Sequence, residues 1–253
     1  MKIIGVIPAR LKSTRLPGKM LLPLDGKPLV WWVYRAAKKA KGLDGLVVAA
    51  DDRRILAELK KRDVPCVLTS RKHKSGTDRI GEIASTMKAD AYINIQGDEP
   101  LMNPKNIDIL ASELRGNRKA DVVTLRIRIR DKKTIDDPNC VKVITDAEDR
   151  AITFSRCPIP YDRDGSGKTA YYKHLGLYGY RRDVLRKIVR LPVSKLEKAE
   201  KLEQLRFLEN GLAVYAPETK YDSIGVDTRE DYLGVKKIVE SRKRSLRHTV
   251  IAE

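Results

Sequence analysis

A loop rich in cations follows the first apolar segment of the chain. Its basic, hydroxyl-bearing and glycine residues are Arg10, Lys12, Ser13, Thr14, Arg15, Gly18 and Lys19. Cationic side chains and exposed backbone N–H groups together share the negative charge of a triphosphate. The loop is not a Walker A motif, because Gly18 has no glycine five residues before it and Met20 stands where that motif has serine or threonine. We predict a triphosphate-binding loop, with an ordinary basic surface loop as the alternative.

Two acidic residues stand at the ends of apolar stretches that are far apart in the chain. Asp98 follows residues 91–95 and a glycine, and Asp227 follows a shorter stretch that ends at Val226. Mg²⁺ on a nucleotide usually takes one or two carboxylates together with phosphate oxygens. The pair therefore predicts a Mg²⁺ site. The alternatives are a turn before Pro100 for Asp98 and a helix N-cap for Asp227.

A helical pattern begins at a Ser-Gly-Thr-Asp-Arg segment. Ser75 or Thr77 is placed to cap this helix, and Asp78 lies in its first turn, where a negative charge is favourable. These roles explain the segment in purely structural terms. In addition, we expect Arg79 and the amides of the loop to face the base and ribose of a nucleotide.

A strand with unusual aromatic and glycine content spans residues 172–180. Glycines within a strand indicate the close approach of a ligand or of another backbone. His174 and Tyr178 lie in this strand and are therefore candidate binding residues. A satisfied core histidine is the alternative for His174.

These residues need elements to hold them, and the hydrophobic pattern predicts such elements. Short apolar runs that are typical of strands covered on both faces span residues 2–7, 45–50, 64–68 and 91–95. Helical patterns between them span residues 28–41, 53–62 and 77–88. Because strand and helix alternate, the first hundred residues predict a doubly wound α/β unit with a mostly parallel sheet. The carboxyl edge of such a sheet binds ligands.

The second half is less regular, and we predict a mixed, β-rich part of the same domain. Residues 121–130 alternate apolar and basic side chains, which is typical of a half-exposed strand. The other expected elements are hairpin strands at 141–145 and 151–154, a strand at 171–180 and helices at 196–210 and 229–244. No internal repeat or long linker is present, so we expect a single domain over residues 1–253.

The chain carries 52 basic and 34 acidic residues, which gives a net charge of +18. The basic residues are spread along the chain, with one dense tract at 241–248. Phe and Trp are rare, and platforms for stacking single strands are therefore scarce, so we expect no nucleic-acid partner. A nucleic-acid-binding protein stays a remote alternative, prompted by the charge alone.

Two compositional features indicate the compartment. No run approaches the roughly 18 apolar residues that span a bilayer, so we expect no membrane insertion. Cys66, Cys140 and Cys157 are scattered and odd in number, without the spacing of a zinc site or a disulfide framework. That pattern favours a reducing cytoplasm.

Seven motifs follow one another over about residues 3–240. They are IPARLKSTRLPGK, SGTDR, NIQGDEP, FSRCPIPYDRD, KHLGLYGYR, LEQLR and GVDT. In this order they resemble the 3-deoxy-manno-octulosonate cytidylyltransferase (CMP-Kdo synthetase) family. The resemblance implies a nucleotide-diphospho-sugar transferase fold. It also implies a Mg²⁺-dependent reaction in which CTP and the 2-keto sugar acid Kdo give CMP-Kdo and pyrophosphate, carried out by a homodimer.

The resemblance further implies roles for individual residues. The residues around the triphosphate and the departing pyrophosphate are Arg10, Ser13, Arg15 and Lys19, and the residues near the base and ribose are Arg79 and Gln96. The Mg²⁺ ligands are Asp98 and Asp227. The residues of the sugar-acid pocket are Arg156, His174, Tyr178, Glu203 and Gln204. Tyr161 stands where the family usually has tryptophan, on the sugar-acid side. A cytidylyltransferase for an 8-amino Kdo analogue or a nonulosonic acid is therefore the alternative.

Overall fold

The apolar runs of the first half form parallel strands because a helix returns the chain between successive strands. The computed structural model describes residues 1–251 and the side chains of residues 1–241, so the basic tract at 241–248 lies almost wholly outside the described side chains. The strands are β1 (Ile3–Ala9), β2 (Pro23–Leu24), β3 (Lys27–Pro28), β4 (Gly45–Ala50), β5 (Cys66–Leu68), β6 (Ala91–Asn94), β7 (Val122–Arg128), β8 (Lys142–Thr145), β9 (Ala151–Ser155), β10 (Tyr172–Arg181) and β11 (Val214–Tyr215).

Helices cover both faces of this sheet. They are α1 (Leu29–Ala37), α2 (Arg53–Lys60), α3 (Gly76–Thr86), α4 (Pro104–Gly116), α5 (Lys132–Asp136), α6 (Arg182–Ile188), α7 (Lys195–Glu200), α8 (Glu203–Glu209) and α9 (Arg229–Ile251). Several begin at a side chain that accepts a hydrogen bond from the first turn, as Asp52, Ser75 and Asn103 do for α2, α3 and α4. Such caps satisfy backbone N–H groups that have no partner within the helix.

Within the described residues, nine strands form one mixed sheet, and β2 and β3 form a separate hairpin. The order across the sheet is β11, β7, β10, β6, β1, β4 and β5, with β8 paired to β10 and β9 paired to β8. β1 pairs in parallel with β4 and β6, β4 with β5, and β7 with β11. β10 runs antiparallel to both of its neighbours, β6 and β7. The predicted fold class, a mostly parallel sheet with a mixed second part, is confirmed.

A separate apolar core lies on each face of the sheet. One contains buried residues of α1, α4 and α9, including Leu29, Leu110 and Val235. The other contains buried residues of α3 and α6, including Ile80 and Leu185. Because both faces of the sheet are covered, polar residues that bind a ligand are expected at the edge formed by the carboxyl ends of the parallel strands.

Two predictions about strand burial are wrong. The run 64–68 was expected to be covered on both faces, but β5 lies at the edge of the sheet, where Val67 is 37% exposed and Leu68 is 42% exposed. The run 121–130 was expected to be half exposed, but β7 lies between β10 and β11 and buries four consecutive residues from Val122 to Leu125. A strand's position in the sheet decides its burial, and local alternation does not contain that information.

The predicted helix at 196–210 is also wrong, because the structure has two helices there. The chain leaves α7 at Lys201, whose φ of 55° is left-handed, and the buried Leu202 precedes α8. The sequence prediction did not include α4 or α6. In the part of the chain that the structure describes, no helix is both long and apolar enough to cross a bilayer.

Candidate active site

A cleft of about 540 Å³ opens at the carboxyl ends of β1 and β6. Its lining residues come from the cation-rich loop, the amino end of α3, the loop after β6, β10, α8 and the segment before α9. They are Pro8, Arg10, Lys12, Ser13, Thr14, Arg15, Lys19, Met20, Lys74, Ser75, Gly76, Asn94, Gln96, Gly97, Asp98, Tyr178, Glu203 and Asp227. The sequence motifs of both halves of the chain therefore meet in one place.

Lys19 joins the two acidic residues that the sequence singled out. Its Nζ donates to Asp98 Oδ2 at 2.7 Å and to Asp227 Oδ1 at 2.9 Å. Burial lowers the pKa of Lys19, but the charges and hydrogen bonds of the two carboxylates outweigh burial and raise that pKa above 10.5. Lys19 is therefore an ammonium group at neutral pH, and the carboxylates converge on a single positive charge.

Asp227 is free to face the cleft because another residue caps α9. The Thr228 hydroxyl accepts a hydrogen bond from the Asp231 N–H at 3.2 Å. Asp231 Oδ2 accepts in return from the backbone N–H groups of Asp227 and Thr228. The N-cap alternative for the Asp227 side chain is thus not observed, and that carboxylate contacts Arg15 Nη2 at 2.9 Å as well as Lys19.

The position of Asp98 depends on the glycine before it. A Cβ built on Gly97 would lie 2.5 Å from the Pro8 carbonyl oxygen and 3.2 Å from the sulfur of Met20. Real Cβ atoms do not approach a backbone oxygen so closely, so only glycine fits between β1 and the turn. The close approach at Gly97 is thus made by the protein's own backbone.

The amino end of α3 forms a second wall. Ser75 caps the helix through a reciprocal capping box with Asp78, as the sequence predicted. Arg10 Nη1 donates to the Lys74 carbonyl at 2.9 Å and so links the cation-rich loop to this wall. On the same side, Ser13 Oγ accepts from the backbone N–H of Leu16 at 3.4 Å.

Tyr178 and Glu203 bound the cleft on the side of the second half. Tyr178 is 8% exposed and stacks on Tyr180 with ring centroids 5.9 Å apart. Glu203 accepts from the Thr77 hydroxyl at 2.9 Å and from Arg206 Nη2 at 2.7 Å. Burial raises the pKa of Glu203 despite these partners, and burial raises that of Tyr178 well above 10.

Gln96 contacts β10, and His174 belongs to that strand. Gln96 lines the cleft and donates through Nε2 to the Gly176 carbonyl at 2.5 Å. His174 Nε2 lies 2.9 Å from Thr124 Oγ1, and its ring packs against Phe154 and Tyr178. Burial lowers the pKa of His174 to about 3, so its imidazole is neutral. His174 is not among the described residues that line the cleft.

Three other predicted site residues lie outside the lining that the described residues form. Arg79 is fully buried, and its Nη1 contacts Thr69 Oγ1 and the Ser70 carbonyl. Arg156 donates to the carbonyls of Glu200 and Pro138, at 2.7 and 2.8 Å. Gln204 is 4% exposed on α8.

Sequence reasoning missed several residues of the lining, including Lys74, Gly76 and Asn94. Lys74 and Gly76 flank the capping residue of α3, and Asn94 ends β6. Asn94 is 5% exposed, and its Oδ1 is buried without a hydrogen-bond partner in the described part of the chain. The signal for Asn94 was present, because it lies within the same strand-end motif as Gln96 and Asp98.

The carboxylates of the cleft can hold a divalent cation only if phosphate oxygens complete its coordination. Over the described residues, no group of three or more His, Cys, Asp or Glu side chains is placed to hold a metal ion. Asp98 and Asp227 nevertheless direct oxygens at the same point, the ammonium of Lys19 in the cation-rich loop. Two carboxylates complemented by phosphate oxygens are the usual set for Mg²⁺ on a nucleotide, so the residues fit that ion.

Comparison with known proteins gives a consistent result. A family model described as Cytidylyltransferase matches residues 4–221. A 3-deoxy-manno-octulosonate cytidylyltransferase of Koribacter versatilis is 48% identical over 96% of this chain and 92% of its own length. One of Geobacter sulfurreducens is 44% identical over 96% of this chain and all of its own length.

This chain belongs to the 3-deoxy-manno-octulosonate cytidylyltransferase family. As a cytidylyltransferase it is an enzyme of the nucleotidyltransferase class. Its fold matches a solved CMP:2-keto-3-deoxy-manno-octonic acid synthetase complexed with CTP, with a TM-score of 0.92 and 39% identity over 96% of this chain and all of the other. A cytidylyltransferase from Leptospira borgpetersenii, at 18% identity and a TM-score of 0.65 over 95% of this chain and 87% of the other, shares the fold.

Proposed function

We propose that this chain transfers CMP from CTP to the anomeric hydroxyl of Kdo and releases pyrophosphate. The names of its relatives and the CTP complex of the matching structure support both substrates. The observation that carries the proposal is the bridge from Lys19 to Asp98 and Asp227, which lies beside a cation-rich loop in a cleft of about 540 Å³. This arrangement joins a site for phosphate charge to carboxylates from the other end of the chain.

The protein's part in this reaction is positioning and charge stabilisation. The anomeric oxygen attacks the α-phosphorus in line, and the bond from phosphorus to the pyrophosphate oxygen breaks. Lys19 is charged at neutral pH and therefore acts as a fixed cation rather than as a base. Arg10, Lys12 and Arg15 line the same cleft and would stabilise the charge that develops on pyrophosphate.

A Mg²⁺ requirement forms part of the proposal. Asp98 and Asp227 would hold the ion together with phosphate oxygens. When bound, Mg²⁺ supplies Lewis-acid stabilisation of phosphate charge. The convergence of both carboxylates on the Lys19 ammonium supports this assignment, because it shows that their side chains reach a common point.

We place the sugar acid on the side of Tyr178 and Glu203, which line the cleft away from the cation-rich loop. Arg156, His174 and Gln204 are assigned to the sugar acid on the resemblance alone. The guanidinium of Arg156 donates to two backbone carbonyls, so these bonds must break before it reaches a substrate carboxylate. The His174 ring packs against that of Tyr178.

Gln96 and Arg79 are assigned to the nucleotide's base and ribose. Gln96 lines the cleft directly. Arg79 is buried, and its Nε and Nη2 have no hydrogen-bond partner in the described part of the chain. Its Nη2 lies 3.9 Å from Asp51 Oδ2, so its assignment to the nucleotide rests on the sequence motif and the resemblance.

A homodimer and a cytoplasmic location complete the proposal. Ile152 and Tyr161, on the hairpin β8–β9 and just after it, are 60% and 85% exposed, which suits a surface that pairs with a second copy. Cys66, Cys140 and Cys157 are free thiols, as expected in a reducing compartment. Light scattering of the purified chain tests the dimer, and a single-copy mass would contradict it.

Pyrophosphate release tests the proposed reaction. The protein is given CTP with Kdo, with its 8-amino analogue or with a nonulosonic acid, in the presence and absence of Mg²⁺. We expect the highest kcat/KM with Kdo and turnover only with Mg²⁺. Faster turnover of another sugar acid would reassign the substrate, and equal use of UTP or ATP would contradict the specificity for cytidine.

A further inference from the structure

The two loops that supply the acidic residues are joined directly to each other. The Val226 N–H donates to the Asp98 carbonyl at 2.9 Å. The Ser223 hydroxyl donates to Glu99 Oε2 at 2.7 Å. These contacts link segments that are 124 residues apart, and each segment carries one of the two carboxylates that face the cleft.

The bond between Glu99 and Ser223 is buried. Each residue is 9% exposed, and neither is among the described residues that line the cleft. Loss of the hydroxyl would leave a buried carboxyl group without its partner, which is costly. The bond therefore constrains the backbone on both sides, although neither side chain reaches a substrate.

Both ends of this bond are anchored further. Asp222 Oδ1 accepts from the Ser223 N–H at 2.8 Å and from Lys173 Nζ of β10 at 2.8 Å. On the other loop, Gly97 packs against the Pro8 carbonyl of β1. The bond thus fixes one strand-end loop against another rather than tying two mobile segments together.

Lys19 alone does not fix the distance between the two carboxylates. It reaches them through a long side chain, and Asp227 is 44% exposed. Positions in an active site must hold to well under about 1 Å, since a misplacement of that size costs on the order of a hundredfold in rate. The short, buried bond between the Ser223 and Glu99 side chains, together with the backbone bond from Val226 to Asp98, provides that precision.

We propose that Glu99 and Ser223 are positioning residues, which set the separation of Asp98 and Asp227 and thereby the capacity of the site to hold a divalent cation with CTP. The inference rests on the proposed function for the identity of the ligands. It adds two residues that act only through the acidic pair.

Four variants test this inference. Ser223→Ala removes the hydroxyl, and Glu99→Asp withdraws the carboxylate by one methylene group. Glu99→Gln keeps an acceptor oxygen at the same reach and is the conservative variant. Ser155→Ala is the matched control, because the buried Ser155 hydroxyl also donates to a glutamate, Glu200 Oε1, at 2.7 Å, in a partly buried pair outside the acidic site.

The measurements are the Mg²⁺ concentration for half-maximal pyrophosphate release and, by calorimetry, the affinity for CTP with and without Mg²⁺. We expect Ser223→Ala and Glu99→Asp to raise the half-maximal Mg²⁺ concentration by about tenfold or more, as loss of a residue that orients a metal ligand typically does. Both should weaken CTP binding only in the presence of Mg²⁺. Glu99→Gln and Ser155→Ala should stay close to the unmodified protein.

The outcomes separate a positioning role from a structural one. If Ser223→Ala and Ser155→Ala lower the melting temperature alike and leave the Mg²⁺ dependence unchanged, the inference is overturned. If Ser223→Ala does not fold, an unchanged Mg²⁺ dependence in Glu99→Asp overturns it as well. Calorimetry with CTP needs no sugar acid, so a failure of the proposed reaction with Kdo is recognised separately.

Discussion

The two sides of the cleft are held together by different forces. On the side of the cation-rich loop, the contacts are ion pairs among Lys19, Asp98, Asp227 and Arg15, several of them partly exposed. On the side of β10, the contacts are among aromatic rings. Tyr178 stacks on Tyr180 with an interplanar angle of 14°.

The aromatic side is an extension of the core. Both tyrosines pack edge-on against Phe207, which is fully buried, and His174 packs against Phe154. Dispersion and area burial hold such a cluster, and its members lose stability when they are truncated.

Because of this difference, we expect substitutions among the ion pairs to change mainly the reaction rate, and substitutions among the buried rings to change mainly the stability of the fold. The Lys19 side chain is only 8% exposed, but it keeps one carboxylate partner when the other is substituted, and the pair of Arg15 with Asp227 is exposed; substitution of a single carboxylate therefore affects mainly the chemistry. Buried rings contribute directly to folding, so their substitution affects the whole protein. The following predictions test this separation, from the largest expected effect to the smallest.

Asp98→Asn and Asp227→Asn should each lower kcat/KM on the order of a thousandfold, since a bound metal ion supplies several kcal/mol of transition-state stabilisation. The melting temperature should change little. Pyrophosphate release and a melting curve measure the two effects. Asp149→Asn is the matched control, because Asp149 is 42% exposed and pairs with Arg126 away from the acidic pair. Near-normal turnover in either site variant would remove that residue from the metal site.

Lys19→Ala should cost about 2–4 kcal/mol of transition-state stabilisation, as removal of one preorganised charge donor does. It also leaves two carboxylates facing each other without the ammonium between them. The measured quantity is kcat/KM for CTP, with Lys61→Ala as an exposed control. A loss smaller than about tenfold, or 1.4 kcal/mol, would show that Lys19 only neutralises its neighbours.

Gly97→Ala should lower both stability and turnover, although Gly97 lies on the ionic side, because the substitution causes a packing clash. The new Cβ meets the Pro8 carbonyl at 2.5 Å, and we expect a loss of about 1–3 kcal/mol in the free energy of unfolding, as for other overpacked sites. Turnover should fall as well, since Asp98 moves with the backbone. Gly176→Ala is the control, because its nearest contact is 3.5 Å, to Gln96. Equal unfolding free energies in the two variants would contradict this account.

His174→Gln should change how stability depends on pH. Burial lowers the pKa of His174 from 6.5 to about 3, so between these values the unfolded chain binds a proton that the folded chain does not. The stability that neutral His174 contributes is present above pH 6.5 and falls as the pH falls, by at most about 1.4 kcal/mol per pH unit. Urea unfolding at pH 7, 5 and 4 should therefore show a shallower decline in the variant. Parallel curves would mean that His174 is protonated in the folded protein.

The sequence predicted the ionic side better than the aromatic side, for a physical reason. A cation-rich loop and carboxylates at strand ends are local features, and parallel strands bring their carboxyl ends to one edge. That argument alone places Lys19, Asp98 and Asp227 near one another. The structure adds the direct contacts between them.

The parts that sequence reasoning missed depend on tertiary contacts. Arg79 contacts Thr69 instead of lining the cleft, and the left-handed Lys201 that divides the predicted helix is not a glycine. By contrast, the sequence contains local signals for helix α4. Asn103 before Pro104 is typical of a helix start, and Ile107 and Leu110 have the spacing of a buried helix face. That helix was predictable from caps and periodicity.

The antiparallel strand β10 also has a consequence for how the chain folds during synthesis. It is inserted between β6 and β7, and it pairs with both. The sheet therefore stays split until Arg181, the last residue of β10, has left the ribosome. The cation-rich loop is translated within the first twenty residues, yet the wall opposite it forms only after most of the chain has emerged. Completion of the sheet thus depends on the late arrival of a single strand, a non-local pairing of the kind that slows folding.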